Sequence, residues 1–85
     1  MKYFIYKIFE RNGEYEYTHK CLTSFDPEET GYTPEEYLED TAKNFYSEGE
    51  KDGDYYWHFG ELVTRPDSIT EVTKEEYEIL QKYIY

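Results

Sequence analysis

Residues Tyr3 to Glu10 run Tyr, Phe, Ile, Tyr, Lys, Ile, Phe, Glu. A stretch this dense in rings and β-branched carbons predicts a strand. Asn12-Gly13 follows, the dipeptide that most readily takes positive φ at both centres of a tight turn. Tyr15, Tyr17, His19 and Cys21 then alternate with Glu14, Glu16, Thr18 and Lys20, so the pattern predicts a β-hairpin. A two-residue turn at Asn12-Gly13 sets Arg11 opposite Glu14. Phe4 then pairs with Cys21, Tyr6 with His19 and Ile8 with Tyr17 on the core face, while Tyr3, Ile5 and Phe9 share the other face. A three-residue loop with a bulge would move this pairing by one residue.

The period then changes. Asp26-Pro27-Glu28-Glu29 has a capping aspartate, proline at the first helical position and acids in the first turn, which suits one short helical turn ending near Gly31. Thr33-Pro34-Glu35-Glu36 is a capping box, with Tyr32 and Tyr37 placed as a hydrophobic staple. The helix it starts carries Tyr37, Leu38, Thr41, Ala42, Phe45 and Tyr46 at helical spacing, and Gly49 is its expected stop. Residues 48–54 read as a polar loop and residues 55–64 as a strand. In that strand Tyr55, Trp57 and Phe59 alternate with Tyr56, His58 and Gly60, and His58 is expected on a partly exposed face. Pro66-Asp67 suggests a turn and residues 69–72 a short strand. Thr73-Lys74-Glu75-Glu76 repeats the capping box before a last helix through Tyr77, Leu80 and Ile84. The order β-β-α-β-(β)-α predicts a single α+β domain over residues 1–85, an antiparallel three- to four-stranded sheet with two helices on one face.

Composition changes the picture mainly through charge. Of 85 residues, 20 are Asp or Glu and 9 are Lys or Arg, a formal net charge of -11. Aromatics make up 21% and include twelve tyrosines, which argues for a packed core rather than disorder. A surface this negative lacks the counterion-release contribution that drives direct nucleic-acid binding. No apolar run approaches the ~20 residues of a membrane span. With one cysteine and no signal-peptide pattern, the expected compartment is the cytoplasm. The acidity is also local. Eleven acids lie between Asp26 and Asp54, opposed only by Lys43 and Lys51.

Candidate chemistry is sparse. His19 and Cys21 point the same way along one strand, as a nucleophile and its base would, but beside Phe4 and Tyr6 they read as core residues. His58 could join them as a zinc ligand only without any of the usual ligand spacings. Counted as a calcium loop from Glu48, the acidic run has Gly53 in the right place but Phe59 where a bidentate acid belongs. Catalytic residues, metal and cofactor are therefore all expected to be none.

What remains is binding through the acidic segment. Glu35, Glu36, Glu39 and Asp40 fall on the helix side opposite Leu38, Ala42 and Phe45. Together with Glu48, Glu50, Asp52 and Asp54 they form the candidate partner-binding surface, and Tyr32, Tyr46 and Tyr56 are its candidate aromatic anchors. The expected partner is a basic protein, for instance one that handles nucleic acid. In size, charge and aromatic content the chain is similar to small phage inhibitors, the anti-restriction and anti-CRISPR proteins, some of which occupy a nucleic-acid groove. That likeness implies inhibition by mimicry. The alternative is a homodimer or structural adaptor joined through the aromatic sheet, by an exposed edge or by the face that carries Tyr3, Ile5 and Phe9.

Overall fold

The computed structural model describes residues 1–84, with side chains to Tyr83. The protein is α+β: a five-stranded antiparallel sheet with three helices, two of them longer than two turns. Strands β1 (Lys2–Asn12) and β2 (Tyr15–Phe25) form the first hairpin. A single turn, α1 (Pro27–Thr30), and the helix α2 (Pro34–Lys43) follow. Then come β3 (Glu50–Asp52), β4 (Tyr55–Phe59), β5 (Leu62–Val72) and the final helix α3 (Lys74–Ile84). The sheet order is β2-β1-β5-β4-β3. The expected stripe residue Ile84 has its side chain outside the described set.

All three hairpins close the same way. Their two-residue loops are Gly13-Glu14, Gly53-Asp54 and Gly60-Glu61, and each glycine has positive φ (63°, 64° and 56°). Glycine first with positive φ and an ordinary residue second is the pattern of a type II′ turn, whose twist matches the flanking strands. The first hairpin therefore turns one residue later than Asn12-Gly13 implies. Phe4 pairs with Thr23, Tyr6 with Cys21 and Ile8 with His19. The pairing moves by two residues, so each side chain keeps its face. Glu10 now faces Tyr17, and Tyr17 lies beyond the helical cover and is exposed rather than in the core.

The third strand needs a larger correction. Gly60 is a turn residue rather than part of a strand, so the expected strand over residues 55–64 is really two. Pro66-Asp67 is not a turn either; β5 runs through it. The β1–β5 register shifts there, Lys7 facing Ser68 and Ile8 facing Pro66, so Asp67 is the extra residue of a bulge. A proline is tolerated at such a point, the more so because β4 pairs only as far as Thr64.

The helices lie on opposite sides of the sheet, not on one. Tyr6, Ile8, Leu38, Ala42 and Tyr56 form the main core, with Cys21, Tyr37, Phe45 and Ile69 packed against it, so α2 covers the side to which Tyr6 and Ile8 point. Tyr3, one step out of phase with Phe4, meets Tyr77 of α3 with ring centroids 4.9 Å apart. Both long helices begin with the expected reciprocal caps, Thr33 with Glu36 and Thr73 with Glu76. α1 begins on Asp26 and ends on left-handed Gly31. The end of α2 differs from expectation. Asn44 is its cap, while the buried Gly49 reaches back so that its N–H donates to the Lys43 carbonyl at 2.8 Å. A β-carbon on Gly49 would lie 2.9 Å from that same oxygen, which is why glycine stands there.

Candidate functional site

The acids of α2 share an outward helix face, but they are not equivalent. Glu36 closes the capping box. Glu39 accepts hydrogen bonds from the hydroxyl of Tyr56 and from Lys51 Nζ at 3.3 Å. The Tyr56 hydroxyl, against some opposition from burial and with help from Lys51, holds the Glu39 carboxyl below its ordinary pKa. The same contact with Glu39 raises Lys51. Asp40 accepts from the Tyr32 hydroxyl, and that bond raises the tyrosine's pKa. Glu35 is exposed and has no side-chain partner among the described residues.

Tyr56 is therefore no surface anchor. It is buried in the core with only its hydroxyl reaching Glu39. The alternation in β4 runs opposite to expectation, with Tyr56 and His58 inward and Trp57 and Phe59 exposed. Alternation by itself cannot tell which phase faces a helix. Tyr46 is half-exposed, yet its hydroxyl donates to Glu10. Of the three expected anchors, Tyr32 comes nearest to that role.

The acidic loop divides. In β3, Lys51 turns toward α2, with its ammonium 4.6 Å from the Tyr56 ring centroid. Strand alternation then sends Glu50 and Asp52 to the opposite side, beside their partners Trp57 and Tyr55. Glu48 and Asp54 are exposed at the ends of this segment. Sequence proximity suggested one surface; the edge strand splits it.

Between β2, α1 and α2 lies a groove of about 460 Å³ lined by Phe25, Thr30, Tyr32, Tyr37, Asp40, Thr41 and Asn44. Phe25 and Tyr37 stack at 4.9 Å with 20° between their planes, and Tyr37 meets Tyr6 edge-on beneath. Comparison with known protein families, curated proteins and solved structures yields no match. The chemistry must accordingly be read from the side chains alone.

Four cations are on the far side. Lys7 and Arg11 of β1 share a face with Phe9, Lys20 of β2 and Arg65 of β5. Arg65 sits 4.9 Å over the Phe9 ring and 5.6 Å from Tyr55, and Arg11 sits 5.0 Å from Tyr55. The Nε of Arg65 is buried without a hydrogen-bond partner among the described residues. Since α3 covers only the Tyr3 end of this face, the Phe9–Tyr55–Trp57 end is open.

A buried polar layer crosses the α2 side of the sheet, and sequence reasoning did not find it. Glu10 is buried and accepts from His19 Nε2 at 2.8 Å and from Tyr46. Beside it, wholly buried Thr64 donates to the Ala42 carbonyl at 2.7 Å. That hydroxyl has one hydrogen, so His58 Nε2, 2.8 Å away, must be the donor to Thr64. His58 Nδ1 lies 3.1 Å from the Ser47 carbonyl oxygen and 3.3 Å from the Ser47 hydroxyl. The only sequence sign of this layer was Glu10 at the inward phase of an apolar strand. His19, Cys21 and His58 do not converge. Each imidazole is committed to its own partner, and Cys21 packs beside Tyr6. Among the described residues no group of three or more potential ligands could hold a metal ion, and no helix is long and apolar enough to cross a membrane.

Proposed function

We propose that this protein acts by binding a basic protein through the surface of α1 and α2, as an inhibitor or adaptor. One observation carries this reading, the segregation of charge. Asp26, Glu28, Glu29, Glu35, Glu36, Glu39 and Asp40 belong to the helical layer, with only Lys43 and Lys51 against them, whereas Lys7, Arg11, Lys20 and Arg65 balance Glu16, Glu50 and Asp52 on the opposite side of the sheet. Such a distribution orients a basic partner before contact and rejects acidic ones, with an effect that weakens as salt screens it. In the mimic version of this reading, the helical carboxylates occupy the phosphate positions of a nucleic-acid strand. The split at β3 confines that version to α1 and α2.

The test leaves the caps intact. Glu28, Glu29 and Glu35 are exposed and carry no cap contact of their side chains, so replacing all three with glutamine, which removes their charge without setting a cation at a helix start, should preserve the circular dichroism spectrum and cost little thermal stability. Capture of a basic protein from the source cell should fall at least tenfold. Capture by the wild type should weaken steadily with added salt. Undiminished capture by the triple variant would refute the reading.

A second reading rests on the open end of the other sheet face, where exposed Trp57 joins Tyr55, Phe9 and two stacked arginines, a composition enriched at interfaces. Pairing of two copies there would give a dimer that persists in high salt and is broken by Trp57→Lys or Phe9→Lys. Tyr3, which lies under α3, is no part of such an interface. Light scattering that shows a monomer at every concentration would exclude it.

A further inference from the structure

We propose that the groove between β2, α1 and α2 receives a long cationic side chain, arginine or lysine, presented by the basic partner; this rests on the binding reading above. Three rings, Phe25, Tyr32 and Tyr37, and one carboxylate, Asp40, line the groove, and no cation does. The face of an aromatic ring is negative and attracts an ammonium or guanidinium, while the aliphatic stem of such a side chain lies well along apolar surface. A planar guanidinium also stacks on rings in a way that few other polar groups can. Phe25 stacks on both Phe4 and Tyr37 and so gives the groove an apolar floor, half-exposed Tyr32 is the ring left to meet a cation, and Asp40 stands at the groove as the counter-charge. Tyr32 donates to Asp40 Oδ2, which orients the carboxylate and leaves Oδ1 available to a donor from outside. Asp26, Glu28, Glu29 and Glu36, on the same elements, bias the surroundings against anions.

The groove also has a reason to exist in this sequence. Gly31 takes φ of 70°, which ends α1 after one turn and swings the chain into the Thr33 cap of α2. Tyr32 falls between the two helices and is left half-exposed instead of packing into the core. A continuous helix would have no such gap.

The probe is Nα-acetyl-arginine methylamide, titrated into the isotopically labelled full chain and followed by two-dimensional NMR. Nα-acetyl-citrulline methylamide, nearly the same in shape but neutral, is the control, and the corresponding lysine and norleucine compounds form a second pair. Saturable shifts are expected at Phe25, Tyr32, Thr41 and Asn44 with arginine or lysine and not with their neutral counterparts. Tyr32→Ala combined with Asp40→Asn should weaken this binding at least tenfold without altering the rest of the spectrum. Asp40→Asn by itself should weaken it while leaving the rings in place. Equal response to citrulline would overturn the inference, as would shifts confined to residues 48–54. Should the groove stay silent while the Glu28, Glu29 and Glu35 variant still loses its partner, this inference falls and the binding reading stands. If the groove responds but that variant keeps its partner, the binding reading falls, and with it the assignment of the groove to that partner.

Discussion

Raised above about pH 10, the protein should unfold in one cooperative step accompanied by a rise in tyrosinate absorbance. Among the described residues four tyrosines have pKa values held above the ordinary 10.0: Tyr6, Tyr32, Tyr46 and Tyr56. Burial is the main cause for Tyr6, whose protonated hydroxyl is further favoured by Cys21 and Tyr37. It is also the main cause for Tyr46, pushed up to about 12 with help from Glu10, and for Tyr56 beside Glu39. For Tyr32 the bond to Asp40 comes first. A group whose pKa is higher in the folded state than in the unfolded one stabilises the fold fully below its unfolded value. That contribution is lost as pH rises through the folded value. The window therefore opens near pH 10, where unfolded tyrosines give up their protons, and for Tyr46 it closes near 12. Above it, a chain already at -11 also gains charge. Circular dichroism and absorbance at the tyrosinate band, recorded on one sample, should change together. Complete tyrosine ionisation with the far-ultraviolet spectrum unchanged would show that these hydroxyls are not held by the fold. Tyr46→Phe, which removes one raised group, should move the midpoint upward if stability at neutral pH is retained.

Thr64→Val is expected to destabilise the protein by about 1–3 kcal/mol, because it leaves the buried His58 Nε2–H without its acceptor and takes from the Ala42 carbonyl its shortest hydrogen bond. Valine has nearly the shape of threonine, so the loss is chemical rather than volumetric. The Thr64 hydroxyl donates to the Ala42 carbonyl and accepts from His58. Ala42 lies in the last turn of α2, where its carbonyl otherwise has only the poorer backbone contacts of the helix end, Phe45 N–H at 3.4 Å among them. Thr64 thus fastens the end of that helix to β5. A domain of this size has roughly 4–12 kcal/mol in total, so the loss should show plainly in urea denaturation. Thr64→Ser, which keeps the hydroxyl, should recover part of it. A valine variant as stable as the wild type would mean that water replaces both bonds and that the polar layer is not a fastening.

Caps were legible because they are local chemistry: Thr33 with Glu36 and Thr73 with Glu76 need only three residues of separation. The inward phase of β1 was legible because a strand has period two and Phe4, Tyr6 and Ile8 are apolar. Glu10 was not, because its partners His19 and Tyr46 are 9 and 36 residues away. The candidate site fared in the same way. Glu35, Glu36, Glu39 and Asp40 lie together because one helix carries them. Glu50 and Asp52 part from them because β3 pairs with β4 and alternates. Tyr56 was misplaced as an anchor because the β4 pattern has aromatics in both phases.

By itself, then, the chain's order of residues determined what depends on near neighbours: where helices begin, that α1 stops at Gly31, which residues of β1 share a face, and that the acids cluster in the middle. Tertiary structure alone decided which phase of β4 meets α2, that α3 crosses to the other side, and that Phe25, Tyr37 and Asp40 close around one groove. The physical reason is distance along the chain. Hydrogen bonds and helical or strand periods act over a few residues, whereas the pairing of β1 with β5 joins Tyr3 to Val72, and no local rule reaches that far.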